Sequence, residues 1–132
     1  MDMMESNWLA IVAAALSAFA IGGVWYGPLF LKTWSREAGI DMTVKQRHPA
    51  AVFGTAFVAA LLAAIAFAIL LGPRPSLALG VHHGLLAGLF IAGASFAINY
   101  AFAGRSLKLW LIDGGYHTVQ FVVYGIILGL WH

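Results

Sequence analysis

Cysteine is absent from all 132 residues. That excludes thiolate nucleophiles, disulfide staples and any quinone-linked dithiol mechanism. Charge is nearly as scarce: Asp, Glu, Lys and Arg make up 9% of the chain, against about 25% in a soluble domain. A phosphate-cradling glycine loop, a metal-ligand spacing and an adjacent nucleophile–base pair are all missing too. No reaction can therefore be read, and enzyme chemistry, a metal and a cofactor are not expected. The pI of 9.2 does not point to nucleic acid, because the seven Lys and Arg are scattered over short loops rather than massed in one patch.

What is abundant is apolar surface, with hydrophobic residues at 62%. A soluble chain this apolar would expose patches large enough to aggregate. Four runs instead exceed the roughly 20 residues needed to cross a hydrocarbon core: Trp8–Leu31, Ala50–Gly72, Leu77–Phe102 and Leu109–Trp131. The sequence predicts an all-α polytopic membrane domain of four transmembrane helices over residues 1–132, surrounded by lipid. Ala18-Phe19-Ala20 mimics a signal-peptide cleavage site. Asp2 and Glu5 precede the run without a Lys or Arg, and the run continues past Ala20, so an uncleaved first span is the expectation.

Ser6 is the expected cap of the first span. Trp25 and Tyr26 suit an interfacial aromatic belt, and Pro28 cannot donate to Val24, which predicts a break there. A short helix from Pro28 to Gly39 follows; Phe30, Trp34 and Ala38 share one face and Lys32, Ser35 and Arg36 another, the pattern of a segment lying on the membrane surface. Pro49 opens the second span, whose row Ala56, Ala60, Ala64 and Ala68 predicts close packing. The turn Gly72-Pro73-Arg74-Pro75-Ser76 predicts that spans two and three are antiparallel neighbours, with Ser76 capping the third. Gly80, Gly84 and Gly88 lie within about 80° of one another on a helix, a signal for close helix contact. His82 and His83 sit nearer the headgroups and are poorly placed to ligate anything with His117.

Orientation follows from the loops. Lys32, Arg36, Lys45, Arg47, Arg105 and Lys108 fall on one side, and Arg74 alone on the other. The positive-inside rule then predicts that both termini face out, periplasmic if the membrane is a bacterial inner membrane, with the two longer loops in the cytoplasm.

The fourth span carries the polar chemistry. With Asp113 at zero and 100° per residue, Tyr116 falls at about −60°, Gln120 at −20°, Tyr124 at +20° and His117 at +40°. Such a stripe is not expected to face acyl chains, and each ionisable group within it is a functional candidate. Two readings stay open at this point. Asn99, Arg105 and Lys108 can form a cross-helix network with Asp113 that clamps the last hairpin. Alternatively, Asp113 and His117, four residues apart, can form a proton-binding pair, with metal or haem ligation by His117 a further possibility.

The stretch Val24-Trp25-Tyr26-Gly27-Pro28 through Lys32-Thr33-Trp34, together with Asn99, Gly104-Arg105-Ser106-Leu107-Lys108, Ile112-Asp113-Gly114-Gly115-Tyr116-His117 and Leu130-Trp131, resembles the two signatures of a bacterial family of small integral membrane proteins, the domain-of-unknown-function family 1761. Members usually carry Ser where Gly27 stands. The resemblance implies a four-helix membrane protein and supplies no activity. The leading functional expectation is a homo-oligomeric channel or transporter that moves a proton, ion or small solute past the fourth-span stripe. The alternative is an accessory or scaffolding subunit that docks a larger membrane complex through its small-residue rows.

Overall fold

The computed structural model describes residues 7–41, 43 and 48–132. Ser6, Lys45 and Arg47 lie outside them. Six α-helices and two π-helical segments follow in order: α1 (Trp8–Val24), π1 (Trp25–Leu29), α2 (Leu31–Ala38), α3 (Pro49–Leu71), α4 (Leu77–Leu85), π2 (Leu86–Gly93), α5 (Ala94–Ala103) and α6 (Leu107–Leu130). They make four candidate membrane spans, Trp8–Leu29, Pro49–Leu71, Leu77–Ala103 and Leu107–Leu130.

The ends of these helices are set by local chemistry. Asn7 caps α1, its Oδ1 accepting from the amide of Ala10 at 3.0 Å. Ser76 and Ser106 cap α4 and α6, each accepting at 3.1 Å from the third residue beyond. Pro49 stands in the first turn of α3, where its missing N–H costs nothing. Gly39 and Gly104 close α2 and α5 at φ 73° and 71°, a left-handed conformation that a side chain disfavours. Within π1 the backbone of Gly27 leaves helical values just before Pro28, so the break falls where the proline requires it.

Side by side, the spans run in the order two, one, four, three. α3 lies along α1, α1 along α6, and α4 with π2 along α6. Spans two and three, expected as neighbours, barely touch. Each has a better partner. Ala10, Ala14 and Ala18 of α1 meet Ala60, Ala64 and Ala68 of α3 in one small-residue core with Ile11, Phe67 and Tyr124, whereas Ala56 is exposed. The third span goes to α6 because its glycines admit a backbone. A Cβ on Gly80 would overlap the carbonyl of Gly125, one on Gly84 would come within 2.5 Å of the Phe121 carbonyl, and one on Gly88 within 2.6 Å of the His117 carbonyl. The Gly80/Gly84/Gly88 row lies against α6 of its own chain.

Large apolar side chains point outward from every span, with Phe102 91% exposed. In water this surface would be a liability; in a bilayer it is the solvated face. α6 meets all three other spans, and its polar stripe looks inward.

Candidate functional site: a polar column along the last helix

The stripe on α6 resolves into three bonded groups. Asp113, six residues into α6 and therefore about 9 Å from its start, is 8% exposed. Tyr26 of π1 donates to its Oδ1 at 2.5 Å, and Tyr100 of α5 donates to its Oδ2. One carboxylate thus ties spans one and three to span four. The break at π1 turns Tyr26 toward α6 while the chain is still in the span. Alongside, the indole of Trp25 donates to the carbonyl of Ile112 at 2.8 Å.

Deeper in, Tyr116 donates to the carbonyl of Ala18 at 2.8 Å. His117 lies on the face of Phe96, ring centroids 5.1 Å apart and planes 17° from parallel. Its Nδ1 is 2.6 Å from Oε1 of Gln120. The amide nitrogen of Gln120 donates to the hydroxyl of Tyr124 at 2.9 Å, and Tyr124 donates to the carbonyl of Ala60 at 3.0 Å. This sequence of bonds fixes directions. The Gln120 oxygen can only accept, so Nδ1 of His117 carries the proton. The chain ends on α3, with Tyr124 fully buried. From Asp113 to Tyr124 the column extends roughly 16 Å along α6.

The five stripe residues Asp113, Tyr116, His117, Gln120 and Tyr124 all find partners inside the protein, as the sequence reading required. Their pairing differs from expectation. Asp113 and His117 do not bond; each is turned to a different neighbour. The Asn99–Arg105–Lys108 network does not form either. Asn99 is exposed and makes no hydrogen bond among the described residues, Lys108 is exposed, and Arg105 donates to the carbonyl of Ala38 at 3.2 Å, anchoring α2 instead. π2 is the physical reason. A π-helical segment turns less per residue than an α-helix, so everything after Gly93 is rotated from its α-helical register. That rotation presents Tyr100 to Asp113 and carries Asn99 to the outside. A further bond pins the same segment: Trp110 donates its indole N–H to the carbonyl of Gly93 at 2.8 Å. Tyr100 and Trp110 are the site residues that sequence reasoning missed. Tyr100 was the readable one, since a phenol at the depth of Asp113 on the facing helix is a ready donor.

His82 and His83 touch each other edge to face at 5.5 Å, and Nδ1 of His83 lies 3.1 Å from the carbonyl of Leu79. Among the described residues no group of three or more His, Cys, Asp and Glu is arranged to hold a metal. Tyr26 and Tyr116 also line a groove of about 410 Å³ between α1 and α3, walled by Ala18, Phe19, Gly22 and Phe53.

A family described as protein of unknown function (DUF1761) matches residues 9–129. The chain belongs to this family. No curated protein and no solved structure matches it. The DUF1761 match takes in the whole column, from Tyr26 through Tyr100 and Asp113 to Tyr124, as well as the break at Pro28 and the glycine row. The chain is thus a small integral membrane protein of DUF1761, with three spans packed around the fourth, α6.

Proposed function

We propose that this protein is a membrane transporter or channel that handles a proton, with Asp113 as the exchanging group, acting as a homo-oligomer in a bacterial inner membrane with its basic loops in the cytoplasm. The observation that carries the reading is a carboxylate, buried within the spans, that accepts from two tyrosine hydroxyls and forms no ion pair among the described residues. A carboxylate in a bilayer is costly unless it does something. Here its protonation has a mechanical consequence. As an anion it accepts from both Tyr26 and Tyr100. As an acid it must itself donate through one oxygen, so one tyrosine has to reverse from donor to acceptor and aim its own proton elsewhere. Because those tyrosines belong to spans one and three, gain or loss of one proton alters what holds these spans to α6. The groove lined by Tyr26 offers a lateral approach to this switch, and the His117–Gln120–Tyr124 chain continues the polar column toward the far end.

The test is proton flux in liposomes. Reconstituted wild type should acidify or alkalinise the lumen faster than empty vesicles, and Asp113→Asn should lose that flux. Wild-type flux equal to that of empty vesicles sinks the reading.

An accessory-subunit role is the second reading. Its original support, the glycine and alanine rows, faces into this chain. What favours it is Asn99, whose side-chain amide makes no hydrogen bond among the described residues, on the outward face of α5, where a protein partner would satisfy it. Recovery of a fixed partner in mild detergent, lost in Asn99→Leu, supports this alternative.

A further inference from the structure

The end of the bundle opposite the Asp113 cluster holds a cavity of about 640 Å³. Its floor is apolar: Ile11, Leu71 and Leu128 are buried side chains of α1, α3 and α6. Its rim is polar, with Arg74 from the turn between spans two and three, Asn7 from the cap of α1 and His132 beyond the end of α6, beside Trp131. No acidic residue among the described residues lines it. Arg74 makes no ion pair or hydrogen bond among the described residues. It is also the one non-glycine residue among them with a positive φ, 51°. An L residue held there between Pro73 and Pro75 is strained backbone, of the kind that clusters at ligand clamps.

The donor inventory narrows the ligand. A guanidinium offers five N–H groups and accepts nothing. The side-chain oxygen of Asn7 is occupied by the amide of Ala10, which leaves its NH₂ free to donate. The positive end of the α1 dipole opens at the same point, and the C-terminal ends of α3 and α6 border the cavity as well. The Arg74 guanidinium and the Asn7 NH₂ call for a group made of acceptors, and the His132 imidazole can donate to the same group; an apolar floor calls for an apolar tail.

We propose that this cavity binds an amphipathic anion, its carboxylate or phosphate on Arg74 and Asn7 and its tail against Ile11, Leu71 and Leu128. Two sources share this chemistry, an anionic membrane lipid and a soluble amphipathic acid. The site is independent of the proton reading at Asp113.

The experiment is equilibrium binding of radiolabelled dodecanoate to the full chain in phosphatidylcholine nanodiscs, with empty nanodiscs as baseline. Saturable binding is expected, and dodecanol should not compete. Arg74→Gly should weaken binding by about tenfold or more, since it removes a charge-assisted contact, while Arg74→Lys should retain part of it. Glycine also relieves the positive φ, so Arg74→Gly should melt no lower than wild type, which separates a lost ligand contact from a lost fold. Asp113→Asn should bind dodecanoate as wild type does. Repeating the titration in phosphatidylglycerol nanodiscs distinguishes the sources: weaker dodecanoate binding there marks a lipid occupant, and equal binding marks a soluble acid. Equal affinity in wild type and Arg74→Gly, or no binding above empty nanodiscs in either lipid, overturns the proposal.

Discussion

Tyr26 and Asp113 stand 87 residues apart in sequence and 2.5 Å apart in space. That bond exists because the first span stops being an α-helix before it leaves the bilayer. Pro28 breaks the hydrogen-bond ladder, Gly27 leaves helical values, and the π1 segment turns both aromatic side chains of Trp25 and Tyr26 onto α6. The third span does the reciprocal thing at π2, where Gly93 offers a carbonyl to the indole of Trp110. Both irregular segments are thus places where a span reaches α6 through hydrogen bonds as well as through packing. In a bilayer, where apolar contact between helices gains little over contact with lipid, such bonds decide register.

Asp113→Leu is expected to destabilise the protein by about 1–3 kcal/mol, because it removes the acceptor shared by two hydroxyls. Tyr26→Phe and Tyr100→Phe should each cost about 0.6–2 kcal/mol. Since both act through one carboxylate, combining either with Asp113→Leu should cost less than the sum of the two. Thermal unfolding in detergent micelles measures all of these. Strict additivity would place Asp113 and the tyrosines in separate interactions.

The sequence reveals the spans, the break at Pro28, the cap at Ser76 and the glycine row because each rests on residues close together in the chain. Composition and local stereochemistry are enough for those. The inward stripe on α6 was equally legible, since α6 is helical from Leu107 to Leu130 and 100° per residue holds along it. What was not legible is which residues meet the stripe. Asn99 and Tyr100 are adjacent, and the choice between them turns on π2, whose changed pitch no residue type in Leu86–Gly93 announces. The same holds for the order of the spans. A short Pro-rich turn makes two helices antiparallel, yet whether they pack together depends on whether another surface fits better, and here both found one.

Gly80→Ala and Gly125→Ala should each destabilise by about 1–3 kcal/mol, because a methyl group at either position meets the opposite backbone, which cannot yield as a flexible side chain can. Gly54→Ala is the control. A Cβ there meets nothing within 4 Å, and alanine is the better helix former by up to about 1 kcal/mol. Melting temperatures should therefore fall for the first two and hold or rise for the third. A fall of the same size at Gly54 would sink the claim that α4 and α6 touch through backbone.

Tyr124→Phe should remove the end of the His117–Gln120–Tyr124–Ala60 chain while keeping the ring contacts with Phe67 and Phe121. The cost is about 0.6–2 kcal/mol. Its more telling effect is on His117. With Tyr124 gone, the Gln120 amide loses the acceptor that fixes its orientation and can flip, presenting NH₂ to the imidazole. The proton on His117 should then move from Nδ1 to Nε2, a tautomer change that nitrogen NMR of labelled histidine reads directly. An unchanged tautomer would mean that Phe96 and Tyr116, which flank the ring, hold it without help from the chain.

The absence of native cysteine makes orientation directly measurable. Pro73, in the turn between spans two and three, and Lys108, near the start of α6, are both exposed, at opposite ends of the bundle. Among the described residues, Lys32, Arg36, Arg105 and Lys108 fall at the Lys108 end and only Arg74 at the other, a bias large enough to survive the loss of one lysine. Single-cysteine variants Pro73→Cys and Lys108→Cys should therefore label on opposite sides. A membrane-impermeant maleimide applied to intact spheroplasts should modify Pro73→Cys at once and Lys108→Cys only after lysis. Inverted vesicles should give the reverse. Labelling of both variants from outside would mean that the chain inserts both ways, which would remove the orientation on which the proton reading assigns its cytoplasmic face.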